Sequence, residues 1–250
     1  MDRSNLDSLS SLPLFSTLPP AVVDRLKAQS FVQHQPADAI LFEQGQTAQF
    51  LHVILAGSVA LVGSSNSHRY DLVSDDMSAG QRLNPPSTDR EAIVEIFGTG
   101  DVVMIAAVLL DLPYLMSARI IAPTRVAYIP AQIVRDLLDT APSFAKAAAI
   151  MLAKHWRLLS RQLKDQKLRS GTQRLGAYLL TLSDGRTSGF AEMELPIDRR
   201  TLASWLGMSA ENLSRSLAQL KSIGVHISGR NARIEDVARV RSFSLEDDLR

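Results

Sequence analysis

The chain contains no cysteine. That absence removes disulfide bonds, thiolate zinc sites and cysteine-ligated iron–sulfur clusters together. Long apolar runs are also missing; none approaches the roughly 20 residues that span a bilayer. The opening segment MDRSNLDSLSSLPLF lacks the apolar core of a secretory signal, so a cytoplasmic protein without membrane partners is expected. Net charge is only +1 over 250 residues, and global charge therefore says nothing about a polyanionic partner. Its distribution says slightly more: residues 166–250 hold 13 Lys+Arg against 10 Asp+Glu, and the residues before them hold 14 against 16. Catalytic signatures are lacking as well. There is no P-loop, no G-x-S-x-G, no H-E-x-x-H and no dinucleotide fingerprint. Gly98-Thr99-Gly100-Asp101 reads as a turn before a strand, with no helix start behind it to hold phosphate. Neither an enzyme nor a metal site is expected.

What is present is concentrated between Leu195 and Gly224, LPIDRRTLASWLGMSAENLSRSLAQLKSIG. Leu202 and Leu206 recur four apart with Ala203 beside them, and Gly207 then supplies a residue able to take positive φ. Ser209 is an N-cap for a second helix that buries Leu213, Leu217 and Leu220. Ala203, Gly207 and Leu213 give the small, turn and core positions of a helix-turn-helix. Glu211, Ser214 and Arg215 stand at i, i+3 and i+4, so they share the outward face of the second helix. Near a helix start, Arg215 can pair with guanine and Glu211 with a cytosine amino group, while Ser214 adds a short hydroxyl contact. Arg199 and Arg200 open the preceding helix and suit phosphates, and Ser209 and Asn212 lie beside them as further positioning residues. A plain helical hairpin with a solvated polar face has the same polarity but no need of the Ala–Gly–Leu frame.

Glu211-Asn212-Leu213-Ser214-Arg215 matches the E-x-x-S-R recognition-helix signature of the CRP/FNR superfamily of bacterial transcription regulators, in its FNR-like branch. The resemblance extends over nearly the whole chain. FEQGQTAQFLHVILAGSVALV resembles the β-roll of cyclic-nucleotide-binding domains. The fold class expected is α+β: an N-terminal β-roll of that type, a long dimerisation helix and a C-terminal winged helix-turn-helix. The resemblance also implies a homodimer, double-stranded DNA as partner, and RNA polymerase as a second partner. Members with this helix read TTGAT-N4-ATCAA, and Ala210, where the CRP branch has Arg, favours that site over TGTGA.

Taken in order, residues 6–30 read as a helical lead-in, with Pro19 and Pro20 suited to a first turn. Short apolar runs at 40–42, 51–55 and 59–62, punctuated by Gly45, Gly57 and Gly63, read as separate strands. Residues 64–92 form a polar loop for which disorder is expected, and strands resume at 92–97, 117–122 and 125–129. From Pro142, Phe144, Ala148, Leu152, His155, Leu159 and Leu163 recur at helical spacing as a dimer stripe, or as a face packed on the protein's own β-roll, or both. A hinge is placed near 165–167. A wing follows over Val225–Ile234 with its turn at Gly229-Arg230-Asn231, and LEDDLR closes the chain as an acidic tail. The domains are thus 1–141, 142–166 and 167–250.

In the resembled family a cyclic nucleotide is held by a Gly-Glu pair and an Arg. Here Met104, Ile105 and Met116 occupy those positions, and an apolar loop leaves a cyclic phosphate unpaired; Arg119 is three residues away. Cyclic nucleotide is therefore not the expected effector. The remaining inputs are haem, another small apolar ligand, or none. A haem iron needs an axial ligand such as His. Of His34, His52, His68, His155 and His226, the first choice is His155, on the stripe close to the β-roll. Three functions remain open: a ligand-switched DNA binder sensing, for instance, nitric oxide in anaerobic respiration; a ligand- or haem-binding protein with vestigial DNA binding; and a DNA-binding regulator without a ligand.

Overall fold

The computed structural model describes residues 6–64 and 91–245. The polar loop expected at 64–92 and the acidic tail lie almost wholly outside the described residues. The chain divides into two compact units, Met1–Met151 and Leu152–Arg250.

The first unit begins with a 3-10 turn, Asp7–Ser11, and helix α1, Pro20–Gln29, which starts on the proline as expected. Strands β1 (Phe31–Gln35), β2 (Ile40–Phe42), β3 (Phe50–Ser64), β4 (Glu91–Phe97), β5 (Val102–Val103) and β6 (Ser117–Pro130) then build one antiparallel sheet. Its order is β1-β6-β3-β4, with β2 added on β6 and β5 on β3. The runs expected as separate strands at 51–55 and 59–62 are one strand, β3, and those at 117–122 and 125–129 are one strand, β6. The glycine that suggested a break bends the strand instead. Register shifts between Ile54 and Val59 take up extra residues there. Gly57 adopts φ +96°, and a Cβ at that point would lie 2.6 Å from the Pro123 carbonyl oxygen and 2.7 Å from the Thr124 Cα. The Thr124 hydroxyl pins the corner, accepting from the Ser58 N–H at 3.0 Å and donating to the Ala122 carbonyl at 2.6 Å.

Two helices in this unit were not foreseen. Helix α2, Ile105–Leu110, is the six-residue run IAAVLL, and α3, Ala131–Thr140, follows β6 directly. A short, wholly apolar run has no period that separates helix from buried strand. The core gathers Phe15, Leu26, Ile54, Ile120, Ile129, Leu137 and Phe144, all essentially inaccessible.

Helix α4, Pro142–Leu168, is continuous over 27 residues, about 40 Å. It passes unbroken through 165–167, where the sequence places a hinge. The helical run ends at Leu168 because Ser170 starts the next helix, α5 (Gly171–Thr181), with a reciprocal capping box to Gln173. The second unit continues with β7 (Ala191–Glu194), α6 (Arg199–Trp205), α7 (Ala210–Lys221), β8 (Val225–Ser228), β9 (Asn231–Ile234) and α8 (Val237–Leu245). Its sheet has the order β7-β9-β8, and α5 packs on both α7 and α8. No helix among the described residues is long and apolar enough to cross a membrane.

His52 sits 4% exposed on β3, its ring 4.8 Å from that of Tyr128 and 5.2 Å from that of Phe42. Burial pushes its pKa from 6.5 down to about 3. Folding therefore opposes protonation of this imidazole. The stability it contributes is complete above about pH 6.5 and is lost as pH falls from there toward 3. His52→Gln does not titrate, so its urea midpoint should decline less than that of the wild type between pH 6.5 and 4. Parallel declines would contradict this.

Candidate nucleic-acid interface

Helix α6 starts on Asp198, whose carboxylate accepts from the Arg200 N–H at 2.8 Å and the Thr201 N–H at 2.9 Å. The Thr201 N–H, with help from the Thr201 hydroxyl and the Arg200 N–H, holds that carboxyl below its ordinary range. Arg199 and Arg200 follow at once, both exposed. Cations in a first helical turn stand against the helix dipole, so folding alone does not favour two arginines there. Arg199 also reaches the Ile227 carbonyl at 3.5 Å.

Gly207 takes φ +65° between α6 and α7, and the Met208 N–H returns to the Ala203 carbonyl at 2.9 Å. Ser209 caps α7, its hydroxyl accepting from the Asn212 N–H at 3.2 Å. Leu202, Ala203, Leu206, Leu213 and Leu220 are buried and fix the crossing of the two helices. Leu217, expected in that core, is half-buried. Ser216 is buried in its stead, and its hydroxyl accepts from that of Thr172 at 3.1 Å. Leu217 instead lines a groove between α7 and the β8–β9 hairpin, with Ser214, Lys221, Arg199 and Arg233.

Glu211, Ser214 and Arg215 are all exposed on one side of α7. Asn212 is exposed too, but its side chain accepts a hydrogen bond from the Arg215 guanidinium. That contact restrains Arg215 and gives Asn212 a part in orienting it. The hairpin turns at Gly229-Arg230, as the sequence indicates, and the Arg230 Nε donates to the Leu195 carbonyl at 3.0 Å. The pairing of β7 with β9, which brings Glu192 opposite Arg233, had no local signal.

The α4 stripe divides in two. Phe144 and Ala148 are 0% and 1% exposed within a single chain, so these two positions belong to the protein's own core and have no surface to offer a twin. This corrects their assignment to a dimer interface; the alternative of packing inward holds for this end of the helix. Leu152 and His155 are half-buried, and Leu159 and Leu163 are exposed. Trp156, overlooked in the sequence, is 73% exposed and shares their face, giving Leu152, Trp156, Leu159 and Leu163 at steps of 4, 3 and 4.

In the first unit, Met104 takes a left-handed conformation before α2 and Ile105 is buried. Neither side chain, nor that of Met116, has a charge or a donor for phosphate. Arg119 is instead paired with Glu91 at 3.1 Å. These residues do not fit a cyclic nucleotide held in the manner described above. His52 has rings packed around it, with its Nδ1 3.5 Å from the Tyr114 hydroxyl, and so lacks the open side an axial ligand needs. His34 is exposed on β1, His226 is exposed and 3.0 Å from Glu235, and His68 lies outside the described residues. Among the described residues no three His, Asp or Glu side chains gather as metal ligands.

A sequence profile of the Crp-like helix-turn-helix domain matches residues 173–243. The chain is 30% identical to a candidate cyclic nucleotide binding protein from Ruegeria pomeroyi, over 98% of this chain and 99% of that one, with a TM-score of 0.59. Two more distant structures share the fold. One is the c-di-GMP responsive global regulator CLP of Xanthomonas campestris, at 21% identity, 87% and 99% coverage and a TM-score of 0.66. The other is FixK2 from Bradyrhizobium japonicum, at 20% identity, 85% and 96% coverage and a TM-score of 0.64. No protein of curated function matches the chain.

The cap on α6 gives a direct stability test. Asp198→Ala should cost about 1 kcal/mol at pH 7 by loss of the N-cap. Because the folded-state pKa is depressed, that contribution is present above the ordinary carboxylate range and is lost as pH falls through the folded value. Thermal melts of the two proteins should therefore converge near pH 3, about the acid limit for carboxylates. A gap unchanged with pH would contradict the assignment.

Proposed function

The chain belongs to the CRP/FNR superfamily of bacterial transcription regulators, and on that premise we propose that it is a cytoplasmic, homodimeric, sequence-specific regulator of the FNR-like branch. Its class is that of DNA-binding regulators with a cyclic-nucleotide-binding-like domain. The finer reading is that each protomer reads one TTGAT half of a TTGAT-N4-ATCAA palindrome, acting with RNA polymerase and catalysing nothing. The observation that carries it is the exposed Glu211, Ser214 and Arg215 face on a capped helix, with Arg215 restrained by Asn212. A pre-oriented guanidinium loses less freedom on pairing with guanine O6 and N7. Glu211 accepts from the amino group of a cytosine, and Ser214 adds a hydroxyl contact to base or phosphate. Arg199, Arg200 and Ser209 position the helix on phosphates without reading sequence. Half-sites about one helical turn apart match a two-fold dimer. That spacing is a general property of helix-turn-helix dimers, for which a member of this superfamily is among the standard examples.

The dimer rests on the outer part of α4. A face carrying Trp156, Leu159 and Leu163, at 73%, 38% and 55% exposure, leaves three large apolar groups in water on one protomer. Pairing with a twin removes them from it. His155 lies beside this seam, where a change in the first unit would alter how the twins meet.

Two experiments test the reading. Leu159→Glu places carboxylates against each other across the seam; sedimentation should show monomer, with loss of palindrome binding. A dimer that survives would contradict the seam. Arg215→Ala should cost about 1–3 kcal/mol on TTGAT DNA and much less on a scrambled duplex. Arg199→Ala should weaken both alike and lower the salt slope by about one. Equal losses on both duplexes for Arg215→Ala would remove it as a base reader.

A further inference from the structure

We propose that the groove between α7 and the wing is a track for one DNA backbone, in which Lys221 and Arg233 are phosphate contacts. This rests on the reading of α7 as the recognition helix. Three observations on the second unit support it. The groove is continuous with the reading face, because Ser214 lines it on the α7 side and Arg199 lines it at the start of α6. Lys221 stands seven residues beyond Ser214, two turns along the same side of the helix. Arg233 closes the groove from β9. Its guanidinium lies 4.9 Å above the Phe190 ring, which holds the long side chain without neutralising it.

The charge on the walls is lopsided. Arg199, Lys221 and Arg233 are exposed cations. Against them stands Glu192, opposite Arg233 in the register of β7 with β9. His226, next to Arg233 on the other side, is taken by Glu235 at 3.0 Å. A surface of like charges between a helix and a hairpin repels itself when empty, and a phosphodiester chain relieves that repulsion. Phosphates bound there fix the register of α7 in the major groove and contribute nothing to base choice. Glu192 is the one wall residue that opposes the backbone, so it tunes affinity downward.

The test uses the full-length protein and fluorescence anisotropy with a TTGAT-N4-ATCAA duplex and a scrambled duplex over a salt series. Lys221→Gln and Arg233→Gln should each weaken both duplexes alike and reduce the slope of log affinity against log salt by about 0.9, roughly 1.8 together. Glu192→Gln should do the reverse and tighten both. Circular dichroism melts confirm that each variant is folded; Lys221, being exposed on its helix, is the arm least exposed to folding effects. Unchanged slopes in folded Lys221→Gln and Arg233→Gln, with Arg199→Ala still lowering the slope, would overturn the groove and leave the recognition helix in place. Absence of salt-dependent binding in the wild type would overturn both.

Discussion

The angle between α6 and α7 decides whether anything else in the second unit has a use. It is set by one residue with positive φ, Gly207, and by the close crossing that Ala203 permits. With the crossing fixed, Leu213 and Leu220 face inward, and the helical period then turns Glu211, Ser214 and Arg215 outward as a group. Ser209 satisfies a backbone N–H at the start of α7 and so keeps its first turn, the one that meets base edges, from fraying. A β-carbon at Gly207 is opposed by backbone geometry, since nothing in the surroundings lies within contact distance of it.

The first unit follows a different constraint. Its two longest strands pair with each other over most of their length, and the bends at Gly57 and Thr124 let a single sheet curve around its own core. The loop that holds a phosphate in the resembled nucleotide-binding domains is apolar here, with Ile105 packed inside. Helix α4 begins in that core through Phe144 and Ala148 and then emerges as an apolar seam. One continuous helix thus serves two kinds of burial, and any signal arising in the first unit has a stiff element on which to act.

How much of this was legible depended on whether the signal was local. The Gly207 turn, the Ser209 cap and the hairpin at Gly229 are each written within four residues, and each reads directly from turn and capping chemistry. The α2 helix is not, because six apolar residues carry no period. Gly57 was taken for the end of a strand, when a positive φ at a bulge serves as well to bend one. Pairing of β7 with β9 joins AEME to NARI across 40 residues and leaves no trace in either segment. Along α4, spacing alone gave His155 a place in the stripe and passed over Trp156 one residue on, since steps of three and four fit both. Spacing also could not separate Phe144 and Ala148, which face the protein's own core, from Leu159 and Leu163, which do not. Lys221 and Arg233 were invisible as a pair until the fold brought a helix end and a strand to one groove.

The central claim is that two copies of this chain read an inverted repeat through Arg215 and its neighbours. Selection of bound duplexes from a fully randomised pool by the purified protein, followed by sequencing, tests it without presupposing the site. Enrichment of TTGAT-N4-ATCAA, with both halves present and their spacing held, is the predicted result. Enrichment of TGTGA-type halves, of an unpaired half-site, or of no common motif would contradict it.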